Sequence, residues 1–188
     1  MNLVIVDPAK TVKLHSADSA IVGVGVDRED NRIFVRDIVA GRMYPDDIYN
    51  EMFAMTARLK AHVLAVEVTS LNEFISQPIK NEIRKRGLFL RYVELSARAK
   101  KQDRIAQLAA YYRQGYVYHN RNVCTKLETQ LLSFPRSKLW DVMDALAYVI
   151  ELMDLEGEMF YPPGMDEDPD EIYDELDNEK ELRLESLC

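Results

Sequence analysis

The chain has 188 residues, 47% of them apolar and 30% charged, a length and composition that suit one globular unit with a substantial core. Its net charge of −8 is concentrated at one end: Met165 to Cys188 holds 11 acidic residues against 2 basic ones, while the remaining 164 residues hold 22 basic and 21 acidic, which leaves the body free to bind an anion. Two distant cysteines exclude a disulfide framework or Cys-rich zinc site, no Gly-rich phosphate loop or dinucleotide fingerprint is present, and neither a secretion signal nor an apolar run of membrane length is found. A soluble protein of a reducing cytoplasm is expected.

Leu3 to Val6 is a continuous apolar run that ends at Asp7-Pro8, the pattern of a strand buried on both faces. Ser19 to Val26 and Arg32 to Val39 are β-rich and separated by the turn cluster Asp27-Arg-Glu-Asp-Asn31, so an antiparallel meander is predicted. From Pro45 the apolar positions Ile48, Met52, Met55 and Leu59 keep helical spacing to Lys60. Val63 to Val66 then repeats the opening pattern and ends at Glu67. A helix over 71–86, kinked or split by Pro78, precedes Gly87; a strand over Leu88 to Val93 and a helix over Ala99 to Gln114 follow. A short strand at Tyr116 to Tyr118 and helices near Thr125 to Leu132 and Leu139 to Met153 complete the fold before Pro162-Pro163-Gly164. The acidic tail has too little apolar surface to offset its ordering entropy and is expected to be disordered, giving a domain over 1–158 and a tail over 159–188.

The order βββαβαβα implies an α/β mixed sheet with helices on both faces, in which the first, fourth and fifth strands are parallel. Right-handed crossovers place the fourth strand beside the first, and ligand sites form beyond the carboxyl ends of parallel strands. Asp7 and Glu67 both stand at such ends. With neighbouring strands about 4.8 Å apart, their carboxylates can converge. Crowded carboxylates either take up protons or bind a hard cation, and oxygen ligands with open water positions select Mg²⁺ or Mn²⁺. The last helix adds Asp141 and Asp144, which share one face at i and i+3 within an otherwise apolar stretch. Asp18 is a lesser candidate at the rim. His15, His62 and His119 are widely separated and are read as structural or surface residues.

Between Lys80 and Arg104 nine basic residues face three acidic ones. Within that stretch Arg98, Lys100, Lys101 and Arg104 follow the predicted fifth strand, at the edge that carries the acids, and are expected to grip backbone phosphates of a nucleic acid without reading sequence. Tyr111, Tyr112, Tyr116 and Tyr118 are read as packing residues rather than a base-stacking platform.

In the order in which they occur, Asp7-Pro-Ala, Glu67 after its strand, Lys101-Gln-Asp-Arg104-Ile, Phe134-Pro and Asp141-Val-Met-Asp144-Ala-Leu-Ala resemble the nuclease domain of phage terminase large subunits over about Leu3 to Met153. The resemblance implies an RNase H-like fold, kin to RuvC-type resolvases. It also implies an Mg²⁺- or Mn²⁺-dependent endodeoxyribonuclease that cuts double-stranded DNA during viral genome packaging in the host cytoplasm. In that family reading Asp7 bridges two ions, Glu67 holds one, and Asp141 with or without Asp144 holds the other. Trp140 stands where the family often has the first aspartate of a doublet, so the choice between Asp141 and Asp144 as main ligand stays open. Implied partners are the terminase ATPase domain, the small terminase subunit and the portal protein. The acidic tail is read either as an intramolecular competitor for the basic surface or as a docking peptide for another assembly protein, and the family's C-terminus, which works near the portal, favours docking. The missing phosphate loop favours an excised domain over a separately encoded nuclease. A RuvC-like junction resolvase acting as a dimer, and a non-catalytic RNase H-like DNA-binding or assembly module, are the alternatives.

Overall fold

The structure is a computed structural model that describes residues 1–9, 18–68, 75–96, 100–136 and 139–160, with side chains as far as 154 in the last span. It divides into a unit Met1–Ile150 and a unit Glu151–Cys188, the latter described through Phe160 as the end of the last helix. The elements are β1 (Asn2–Asp7), β2 (Ser19–Asp27), β3 (Arg32–Gly41), α1 (Pro45–Leu59), β4 (Val63–Glu67), α2 (Ser76–Lys85), β5 (Arg91–Leu95), α3 (Lys101–Arg113), β6 (Val117–His119), α4 (Thr125–Ser133) and α5 (Asp141–Phe160).

The strands form one mixed sheet in the order β5-β4-β1-β2-β3-β6. The meander β1-β2-β3 is antiparallel, whereas β4 joins β1, β5 joins β4 and β6 joins β3 in parallel. Because side chains alternate along a strand, the apolar runs of β1 and β4 feed two cores. Val4, Val6, Ile21, Leu64 and Val66 pack with Met52, Phe53 and Met55 of α1 and with Ile79 and Ile83 of α2. Leu3, Ile5, Val63 and Ala65, also buried, point to the opposite face, as do Asp7 and Glu67 by the same alternation. Gly23 lets α1 come close, since a Cβ there would run into Leu59 Cδ1.

Several elements begin elsewhere than their apolar patterns suggest. The strand predicted from Leu88 starts at Arg91, because after Gly87 (φ 61°) the Leu88 N–H donates to the Ile83 carbonyl and closes α2. Leu88 and Leu90 pack on the α1/α2 core instead of joining the ladder. Pro78 is the third residue of α2, within the first turn where its missing N–H costs nothing; the kink or split predicted for a helix over 71–86 involves residues 71–74, outside the described residues. The last helix starts at Asp141 rather than Leu139. Residues 71–74, Ala99, the Pro162-Pro163-Gly164 stop and the acidic tail lie outside the described residues. No described helix is long and apolar enough to cross a membrane, and Cys124 is a buried free thiol.

Candidate active site

Val6 pairs with Val66 in the parallel β1–β4 ladder, so the next residues, Asp7 and Glu67, stand side by side at the carboxyl ends of these two adjacent strands. Their side chains turn to the face away from α1 and α2. Burial, then the neighbouring Glu67 and Asp144 carboxylates, raise the Asp7 pKa from 3.8 to about 8 against the opposing charge of Lys101. An acid in that setting holds its proton at neutral pH unless a cation replaces it.

Helix α5 brings Asp141 and Asp144 to the same place on its first turn, and both are buried. Its terminal backbone donors do not depend on Asp141: the Gln130 side-chain oxygen, projecting from α4, accepts the N–H of Val142 at 3.1 Å and of Met143 at 3.2 Å. Asp141 is thereby released from capping duty. Lys101 Nζ, on the first residue of α3, reaches Asp141 Oδ1 at 3.3 Å and Asp144 Oδ2 at 3.1 Å. Burial works to lower the Lys101 pKa, but Asp144 and Asp141 outweigh it and hold the ammonium above its ordinary value. One turn on, Arg104 donates to Asp144 Oδ1 through Nε (3.2 Å) and a terminal nitrogen (2.6 Å), with its guanidinium 4.3 Å from the centre of the Tyr148 ring. Asp141 Oδ2 accepts the backbone N–H of Asp18 at 3.1 Å.

Among the described residues no three Asp, Glu, His or Cys side chains form a ready ligand cage; Lys101 and Arg104 stand on the oxygens of Asp141 and Asp144. The donor set still fits a hard divalent cation, since it is all carboxylate and gathers more negative charge than the interior tolerates, as the raised Asp7 pKa records. Lys101 is 37% exposed and holds one oxygen each of Asp141 and Asp144 from the solvent side, whereas Arg104, at 7%, is buried.

Residues 4–152 match the family described as the terminase RNase H-like domain. The chain belongs to that family. Among solved structures, this terminase RNase H-like domain is similar to the large terminase of a thermophilic bacteriophage, with a TM-score of 0.54, 10% identity, and 80% of this chain covering 38% of that one. It is also similar to the g2p large terminase nuclease domain of bacteriophage SPP1 with bound Mn (TM-score 0.51, 12% identity, 80% and 85% covered). The fowlpox virus Holliday junction resolvase gives a TM-score of 0.50 at 14% identity, with 82% and 98% covered. At such identities these likenesses establish the RNase H-like fold. No curated protein matches the chain.

The terminase RNase H-like domain thus brings together all four acids singled out in its sequence. The basic residues divide. Lys100 is exposed at the start of α3 and Lys101 is half turned to the acids, while Arg104 is buried against Asp144 and Tyr148 and serves the acids rather than the surface. Arg98 lies outside the described residues, as does His15. His62 accepts the Asn2 N–H at the amino end of β4, and His119 sits between Tyr112 and Glu128. Tyr118 stacks on Phe34 and Tyr116 meets Tyr111 edge to face, and both Tyr116 and Tyr118 remain exposed. Two contributors went unread in the sequence. Tyr148 looks like one more apolar residue of α5, yet its buried hydroxyl lies against Glu67 without completing a well-aligned hydrogen bond, and burial pushes its pKa well up. Gln130 had a weak signal, a polar residue on the buried stripe of α4 that begins at Leu127.

Proposed function

We propose that this domain is a divalent-metal-dependent endonuclease acting on double-stranded DNA, the nuclease part of a terminase large subunit. The observation that carries the reading is the meeting of Asp7 and Glu67, from adjacent parallel strand ends, with Asp141 and Asp144 of α5 around the Lys101 ammonium. Family membership supports it, as does the Mn bound to the SPP1 nuclease domain of the same fold. Asp7, Glu67 and the Asp141/Asp144 pair would hold Mg²⁺ or Mn²⁺, which when bound polarises an attacking water and stabilises the leaving oxygen of a phosphodiester. The chain's own part is to hold the acids deprotonated around the ions, to keep Asp144 oriented through buried Arg104, and to move Lys101 off the acids toward the incoming phosphate. Lys100, beside it, adds a phosphate contact that reads no sequence. The ATPase motor, small subunit and portal are the proposed partners, and genome packaging in the host cytoplasm the proposed setting.

The test is cleavage of plasmid DNA with Mn²⁺, with Mg²⁺ and with chelator, for the wild type and for Asp7→Ala. Metal-dependent cutting that disappears in Asp7→Ala is expected; cutting that survives the substitution, or that needs no metal, overturns the assignment. The fowlpox resolvase is spanned almost end to end, which keeps a junction resolvase as the second reading. Preference for a four-way junction over linear duplex of equal length would favour it.

A further inference from the structure

Asp141 is buried, and its two oxygens are held from opposite sides by groups of different kinds. Oδ1 accepts from Lys101, a side chain 37% exposed, whereas Oδ2 accepts the main-chain N–H of Asp18 at 3.1 Å. A main-chain donor holds its acceptor only as firmly as its own segment is held. Asp18 immediately precedes β2, and two contacts pin it there. Lys126 Nζ of α4 meets Asp18 Oδ2 at 2.5 Å and also donates to the Ala40 carbonyl near the end of β3 at 3.2 Å. One residue on, the buried Ser19 hydroxyl accepts the Ala9 N–H at 3.0 Å, which ties the exit of Asp7-Pro8 to the start of β2. Residues 18 and 19 therefore connect the backbone just after Asp7 with the carboxylate of Asp141, and Lys126 sets where that connection stands.

We infer that Asp18 and Lys126 are positioning residues for Asp141: the ion pair fixes the Asp18 N–H, which aims Oδ1 of Asp141 into the acid cluster by holding Oδ2. This rests on the nuclease reading for what Asp141 holds, but not for the clamp itself. When Lys101 withdraws, the Asp18 N–H is what keeps the Asp141 carboxylate from rotating about its terminal bond. Groups that orient a ligating carboxylate typically change metal affinity by about 10–100-fold, and Lys126, acting one contact further out, belongs at the low end.

The experiment follows the Asp18 amide by hydrogen exchange in ¹⁵N-labelled, metal-free protein, and Mn²⁺ uptake by calorimetry, in the wild type, Lys126→Met and Lys126→Arg. In Lys126→Met the Asp18 amide should exchange about tenfold faster and half-saturation by Mn²⁺ should rise about tenfold, with a larger effect on the Mn²⁺ requirement than on kcat at saturating Mn²⁺. Lys126→Arg should restore both. Asp18→Asn, which keeps an acceptor but drops the charge, should fall between. Unchanged Asp18 protection in Lys126→Met overturns the clamp, as does a lowered melting temperature with protection and Mn²⁺ uptake intact, which assigns the pair to stability alone. Because the exchange measurement needs no metal, a wild type that takes up no Mn²⁺ overturns the nuclease reading separately, and with it the role of the clamp toward metal.

Discussion

Asp7 is an acid kept where its charged form is expensive, and this has a thermodynamic sign. Its pKa in the fold, about 8, lies above the ordinary 3.8. Between those values the folded, metal-free protein retains a proton that the unfolded chain releases, so stability falls as pH rises through this window and levels off above it. Melts of metal-free protein should therefore drop from about pH 5 to pH 8, by at most about 1.4 kcal/mol per pH unit for this one group. Asp7→Asn should flatten that part of the slope and melt higher than the wild type at the alkaline end. Added Mn²⁺ should raise the melting temperature of the wild type but not of Asp7→Asn. Arg104 poses the reverse problem. Its partner Asp144 has a side chain 6% exposed, so Arg104→Met leaves a carboxylate buried without its strongest counter-charge and should destabilise by about 3–5 kcal/mol. The double change Arg104→Met with Asp144→Leu should recover much of that loss in denaturant unfolding, since apolar groups of similar size often replace a buried pair at little cost.

At the scale of elements, α4 is a brace for the start of α5. Gln130 satisfies two backbone donors of α5 from outside the helix, and Lys126, one turn earlier, reaches Asp18 and Ala40. Gln130→Leu keeps the bulk but leaves the Val142 and Met143 N–H groups buried and unpaired. Urea unfolding should show a loss of about 1–3 kcal/mol, with faster exchange at those two amides. If the loss is absent, Asp141 has taken over the capping role, and Mn²⁺ uptake should then fall instead. The apolar periodicities were enough to find every strand and helix of the described residues. Boundaries failed where a local closure competed with the pattern, as at Leu88, whose apolar side chain suits a strand while its N–H is already spent on α2.

At the scale of the molecule, charge is segregated. Acids gather at the carboxyl ends of β1 and β4, and the start of α3 brings Lys100 and Lys101 to their rim. Binding to double-stranded DNA should weaken steeply with salt, and Lys100→Ala should weaken it evenly across sequences while reducing the salt slope by about 0.9. A slope that does not change in a titration from low to physiological salt removes Lys100 from the DNA surface. Arg104 is packed on Tyr148 and paired with Asp144, so a substitution there is expected to act on stability more than on the salt slope.

The sequence by itself determined the α/β order and the four acids from local patterns, apolar runs that stop at a carboxylate and an i,i+3 pair on an apolar helix, and the parallel pairing of the first and fourth strands from the handedness of the crossover between them. What only the tertiary structure decided is which charges those acids meet. Lys101 and Arg104 come from α3, Tyr148 from a later turn of α5, and the Asp18–Lys126 pair from the start of β2 and from α4. Their roles depend on burial and side-chain direction, which long-range packing sets and spacing along the chain does not encode.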